Sequence, residues 1–292
     1  MDPREALHSI ARVPVWGVAL LCASAFVVLS LQALRWHGVM GPLTGLRYSH
    51  ALRAQLVGIL FNAVLPARGG DLLRVQYLGR RTGKSRATLL GTEIVDRWLD
   101  WWGWIPSFLV LAWVSSPPAW LWRALALFGG VLAAWGVAMV LLTRSGWQPR
   151  SARFARILES LRTGLTPFRS RRIWLLAFFV APLPWLWESL VIAFAARLFG
   201  IELDLVQSYS VLIAFNLATV VPSSGSVGTV EAGGTAALAL FGFDHSRALA
   251  FLFVYHFTQL VPGMVGGALV LAVEGERLFG KRDPGNGDLL SP

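Results

Sequence analysis

Charge and cysteine are both scarce in this 292-residue chain: 14% of its residues are Asp, Glu, Lys or Arg, and Cys22 is the single cysteine. A lone cysteine excludes an internal disulfide and any cysteine-based zinc site. The five histidines, at 8, 37, 50, 245 and 256, match neither HExxH nor any paired-ligand spacing, so no metal and no cofactor is expected. Soluble domains carry about a quarter charged residues; 55% hydrophobic content and a mean hydropathy of +0.58 rule out a water-soluble globule. A small-x-small cleavage site is also missing after the first apolar run, Val13 to Leu34, which is longer than the roughly 7 to 15 residues of a signal-peptide core.

What the chain does have is long stretches without Asp, Glu, Lys or Arg: 13–34, 101–122, 124–143, 205–230 and 248–273. A helical crossing takes roughly 20 residues, so the fold class is all-α, a polytopic helical membrane protein in one domain, 1–292. Spans are expected at about 13–36, 87–115, 119–143, 173–197 and 247–273. Ala54 to Ala67 is too short to cross and ends in Leu65-Pro66-Ala67-Arg68-Gly69-Gly70-Asp71, which breaks one helix and starts another. The pattern recurs at 205–241, broken at Pro222-Ser223-Ser224-Gly225-Ser226. Phe-Asn precedes both breaks, at Asn62 and Asn216, and Ser-Arg-Ala opens the helix after each, at 85–87 and 246–248. Two re-entrant helical hairpins, about 48–80 and 205–241, are therefore expected in an inverted-repeat-like core.

The formal charge is +10, from 26 Lys and Arg against 16 Asp and Glu. In a membrane chain this first reports topology rather than a nucleic-acid partner. Residues 144–172 hold eight Arg against Glu159, which makes that loop cytoplasmic and, by counting spans, the C-terminus too. The two hairpins then enter from opposed faces.

Ionisable groups inside such spans are costly and mark function or pairing. Arg68, Asp71 and Arg74 open the half-helix after Pro66; Glu93, Asp96, Arg97 and Asp100 share one helical face; Glu188, Glu231 and His256 follow. Each has a structural explanation as well. Asp96, Arg97 and Asp100 suit an internal ion-pair network, Arg74 a snorkel to the interface, Glu188 a cap at the Pro182/Pro184 kink, and His256 ordinary packing. Helix starts at Gly69-Gly70 and at Ser223-Ser224-Gly225 offer unpaired N–H groups and a positive dipole end, suited to an anion; capping alone would use the same residues. With Arg68 beside the first tip, the expected guest is phosphate on a lipid headgroup.

These motifs resemble the membrane region of the lysylphosphatidylglycerol synthase family, also described as flippase-like. Asn62, Leu65-Pro66-Ala67-Arg68-Gly69-Gly70-Asp71 with Arg74 is similar to its first signature, Asp96-Arg97 to its acid-Arg pair, and Pro222, Gly225, Gly228 and Glu231 to its second. Leu34-Arg35-Trp36 is similar to the end of a family helix that another helix usually precedes, and Tyr255-His256 stands where Tyr-Arg is common. The resemblance implies a bacterial or archaeal plasma-membrane protein. The family's lysyl-transfer chemistry sits in a soluble C-terminal domain, which a chain ending at Pro292 is not expected to contain. Translocation of an anionic or phosphate-bearing lipid is thus expected, with Asn62, Arg74, Glu93, Asp96, Arg97, Glu188, Asn216, Glu231 and His256 lining the path. A membrane enzyme acting on a lipid phosphate, or a non-catalytic partner of a lipid-modifying enzyme, are the alternatives.

Overall fold

A computed structural model describes residues 13–65, 69–114, 119–221 and 223–279. Pro66, Ala67, Arg68 and Pro222, all named above, lie outside the described residues. Every regular element among the described residues is helical: α1 (Val15–Thr44), α2 (Tyr48–Val64), α3 (Gly69–Thr82), α4 (Arg86–Trp102), α5 (Trp104–Val114), α6 (Ala119–Arg144), α7 (Ala152–Leu165), α8 (Arg171–Leu175), α9 (Pro182–Leu198), α10 (Leu205–Leu217), α11 (Thr229–Leu240) and α12 (His245–Phe279). The chain is a polytopic, all-α membrane protein.

Among the described residues, four segments are long and apolar enough to cross a bilayer: Val15–Thr44, Trp122–Arg144, Arg171–Leu198 and His245–Glu274. The outer surface agrees with that solvent. On α6, Leu127, Val131, Val137 and Leu141 are all exposed, a stripe that water would penalise and lipid does not. The third segment joins α8 to α9 through a π-turn, Leu176–Val180, which the Ala181 N–H closes on the Leu176 carbonyl at 2.8 Å. The wider turn comes just before Pro182, whose ring nitrogen has no hydrogen to donate. The stretch 87–115, expected as one span, is two helices meeting at Gly103, where the Ala181 carbonyl packs too close for any side chain.

A pair of helices stands at each place where a hairpin is expected. In the first, α2 and α3 run antiparallel, with Asn62 meeting Asp71 and Gln55 meeting Arg74. A Cβ on Gly70 would collide with the Gly58 carbonyl oxygen, so glycine there sets how closely the arms cross. In the second, α10 and α11 are joined through short 3-10 turns at 218–220 and 224–226, and Gly225 adopts φ +59°, a left-handed conformation natural to glycine. The tips meet: a Cβ on Gly225 would lie 3.3 Å from the Ala63 carbonyl oxygen, near the end of α2.

The same pairing scheme appears in both halves. Arg74 on α3 is ion-paired with Glu93 on α4, and Glu231 on α11 is hydrogen-bonded to His256 on α12. In each, the second arm of a hairpin is tied to the long helix that follows, with the acid on opposite partners.

The amphipathic α7 lies across α4, where Gly164 and Gly91 are in backbone contact and a Cβ on Gly164 would overlap the Thr88 carbonyl. Overpacking such a crossing costs about 1 to 3 kcal/mol. Gly70→Val and Gly164→Val should therefore lower the melting temperature in detergent, whereas Gly130→Ala, which has open space around it, should leave it unchanged.

Candidate functional site

The acid-rich face of α4 explains the centre of the molecule. Residues 93, 96, 97 and 100 recur at helical spacing and so project to one side, toward α1 and α3. There Arg35 of α1 donates through Nε to Asp96 at 2.8 Å and through Nη1 to Asp100 at 2.6 Å. Arg74 of α3 pairs with Glu93, bonds Gln55, and lies 3.7 Å from Asp96; its guanidinium carbon sits 4.4 Å from the centre of the Trp36 ring. Arg97 completes the set, with Nε to Glu93 at 2.9 Å, Nη1 to Asp100 at 3.3 Å and Nη2 to Asp71 at 3.4 Å. Three guanidiniums and four carboxylates thus form one connected network.

Arg74 does not snorkel outward to the interface as expected. Its side chain is 2% exposed, held inward by Glu93, Gln55 and the Trp36 face. Arg35 is equally buried at 1%, while Arg97 keeps 20% of its side chain exposed. The difference matters because Arg97 faces a polar chamber of about 180 Å³.

Six helices contribute to that chamber. Gln32 comes from α1, Gln55 and Asn62 from α2, Asp71 and Arg74 from α3, Arg97 and Asp100 from α4, Glu188 from α9 and Asn216 from α10. Apolar packing surrounds it. A tryptophan-rich cluster holds the C-terminal end of α4, with Trp101 stacked on Trp104 at 5.8 Å and Trp104 edge-on to Trp185 at 4.8 Å. The Trp185 indole also donates to the Asp100 carbonyl at 2.9 Å, which fixes α9 to the acidic face.

Residues 1–267 match the description lysylphosphatidylglycerol synthase TM region. The chain belongs to this family. No curated protein and no solved structure matches it. The match is to the family's membrane region, and a membrane-lipid role follows from it at that level.

In this family member, the residues anticipated from sequence divide into three groups. Asn62, Asp71, Arg74, Arg97, Glu188 and Asn216 line the chamber, and Glu93 and Asp96 lie buried behind it in direct contact with its arginines. Glu231 and His256 form a separate buried pair, Nδ1 to Oε1 2.6 Å, in the second half. The tip residues make the third group. The Gly70 N–H is donated to Asn62 Oδ1 at 2.8 Å, and Asn62 in turn donates to Asp71 at 3.0 Å. At the second tip, Ser223 and Thr229 hydroxyls meet at 3.2 Å, Ser224 is exposed, and the Gly228 N–H is capped by Glu231 Oε2 at 2.7 Å. Each hairpin therefore satisfies part of its own helix start. Gly69 opens α3 beside Leu65.

Arg35, Gln32 and Gln55 belong to the site but were not singled out from sequence. Arg35 stood in view, as the charged member of Leu34-Arg35-Trp36 within an apolar run. Glu274 was missed altogether: it accepts from Arg53 at 2.6 Å and Tyr77 Oη at 2.5 Å and pairs with Arg81, tying both arms of the first hairpin to α12. Among the described residues no group of three metal-binding side chains occurs.

Removing one member of a buried ion cluster strands its partners and costs about 3 to 5 kcal/mol. Arg35→Met should thus lower thermal stability in detergent severely, and adding Asp96→Asn to it should recover part of the loss. Arg97→Gln, at a more open position, should cost less than Arg35→Met in the same melting experiment.

Proposed function

We propose that the protein translocates an anionic, phosphate-bearing lipid, admitting its headgroup to the polar chamber while its chains stay in the bilayer. The chamber itself carries this proposal: a space of about 180 Å³ lined by Gln32, Gln55, Asn62, Asp71, Arg74, Arg97, Asp100, Glu188 and Asn216, inside a bundle whose outer face is apolar. Polar side chains are expensive at membrane depth and are retained where they line a path or bind a polar guest. Arg68, Gly69, Gly70 and Asp71 at the first tip and Ser223, Ser224 and Gly225 at the second are the headgroup contacts in this scheme: the first offers the start of α3 and a guanidinium next to it in sequence, while the second, expected to open a helix, lies in a turn ahead of α11, which begins at Thr229, and offers its hydroxyls instead.

The binding step is an exchange of anions. Arg97 is held firmly by Glu93 at 2.9 Å but loosely by Asp100 and Asp71, at 3.3 and 3.4 Å. Its Nη1 and Nη2 edge, the two parallel donors that best fit a phosphate, is the edge with the long bonds. A headgroup phosphate takes over these donors, and Asp71 and Asp100 turn to Asn62 and Arg35, which already touch them. No bond is made or broken, so no catalytic group is needed.

Orientation follows charge: the Arg-rich segment 144–172 and the C-terminus face the cytoplasm of a bacterial or archaeal plasma membrane. On α7, exposed Phe154 and Ile157 sit with Arg153 and Arg156, an amphipathic pattern suited to an anionic membrane surface and open to a lipid-modifying enzyme as partner.

Reconstituted protein should move headgroup-labelled phosphatidylglycerol between liposome leaflets. Charge-assisted hydrogen bonds contribute about 1.5 to 3 kcal/mol, so Arg97→Gln should slow movement by roughly 10-fold or more. Arg97→Lys should keep part of it, since lysine retains the charge without the fork. Wild-type rates in Arg97→Gln would refute the scheme, and release of inorganic phosphate from a lipid phosphate would favour the enzymatic alternative.

A further inference from the structure

One carboxylate of the chamber takes no part in the ion network. Glu188 of α9 lines the chamber with Arg97, Asp100 and Asn216, yet among the described residues its carboxylate accepts no hydrogen bond and meets no cation. It does not cap the backbone at the Pro182/Pro184 turn. The residue is half-buried and neither of its oxygens is sealed by protein, so the carboxylate is open to the chamber.

The groups around Glu188 show why it stands alone. From α4, Asp100 is itself an anion, and Arg97 is engaged by Glu93, Asp71 and Asp100. Across the chamber, Asp71 of α3 meets Asn62, and Arg74 is bound to Glu93 and Gln55. Arg35 of α1 is bound to Asp96 and Asp100. On α12, Tyr255 is within electrostatic reach of Glu188, and His256 is held by Glu231. From α10 comes the neutral Asn216, while its Tyr209 donates to the Trp104 carbonyl; α5 has no ionisable side chain.

Charge balance then gives Glu188 a role. Among the described residues, the three guanidiniums of the network stand against four carboxylates, and Glu188 makes a fifth. A phosphate arriving on the loosely bonded edge of Arg97 adds another negative charge and displaces Asp71 and Asp100. Asp100 keeps Arg35 and Asp71 keeps the Asn62 amide, whereas Glu188 has no donor to keep. A new anion in a poorly solvated site disfavours the ionised form of the carboxylates near it. A proton is the counter-charge that reaches Glu188 without moving a side chain.

We infer that Glu188 is the proton site of a phosphate and proton cotransport. As the headgroup phosphate moves onto Arg97, the Glu188 carboxylate takes one proton from water, and it returns that proton to water on the opposite side as the headgroup leaves. One O–H bond forms and the same bond breaks; the lipid is chemically unchanged. A monoanionic phosphodiester and a proton cancel, so the pair crosses with no net charge. This inference names the coupling ion of the translocation proposed above and rests on that reading.

Two measurements on the full-length protein test it. In the first, short-chain phosphatidylglycerol is added to detergent-solubilised protein in weak buffer: wild type and Asp71→Asn should take up about one proton per lipid bound, and Glu188→Gln none. In the second, liposomes carry the protein, headgroup-labelled phosphatidylglycerol and a gradient of about one pH unit, with protein-free liposomes as the baseline. Wild type should enrich the label up to about 10-fold in the leaflet facing the alkaline side, without responding to a membrane potential set by potassium and valinomycin. Glu188→Gln, shown to be folded by its melting temperature, should give no such enrichment. The wild-type proton count needs no variant: lipid bound with no proton taken up overturns the inference. Uptake kept in Glu188→Gln but lost in Asp71→Asn overturns the assignment to Glu188. Label that moves without regard to the pH gradient overturns cotransport and leaves translocation standing. Proton uptake on binding with no movement between leaflets does the reverse.

Discussion

The core of this protein is organised around charges that cannot be left alone. Arg35, Arg74 and Arg97 lie among Asp71, Glu93, Asp96 and Asp100 with few distances beyond hydrogen-bonding range, and most of these side chains see almost no solvent. Desolvating each ion costs several kcal/mol, recovered only when every partner is in place. The network therefore constrains three helices at once: α1 through Arg35, α3 through Arg74, and α4 through the acids. Apolar packing among leucines would tolerate a shift by one helical turn; a guanidinium with two carboxylates to satisfy would not.

From that constraint the chamber follows. The first hairpin is held in antiparallel register by Asn62, Asp71, Gln55 and Arg74, the residues that also form the chamber wall. The second hairpin supplies Asn216 and a tip resting on Ala63, and its own polar pair, Glu231 hydrogen-bonded to His256, ties it to α12. The two halves are not equivalent: the first presents a polar chamber, the second a groove lined mostly by alanine, leucine and phenylalanine, with Glu231 and His245 among its lining residues.

Helix content and polytopy could be read from the sequence because both depend on local quantities, run length and charge spacing. The interruptions between α2 and α3 and between α10 and α11 were equally legible, since glycine acts on its own backbone. Within the site, the spacing of Glu93, Asp96, Arg97 and Asp100 showed a shared face. It did not show that Arg35, 58 residues or more away along the chain, would lie against that face. Nor could the position of Arg74 distinguish a side chain reaching for the interface from one buried over Trp36. Gly70 likewise looked like room for a ligand, while its missing side chain also serves the contact with Gly58.

The sequence by itself determined the solvent, the class of fold and the set of costly polar residues, because hydropathy and burial cost belong to each side chain wherever it ends up. Only the tertiary structure decided the partners. Which carboxylate faces which guanidinium, which arginine keeps an open edge, and which carboxylate is left without a donor depend on how helices distant in the chain cross, and crossings are set by packing between surfaces that no single segment encodes.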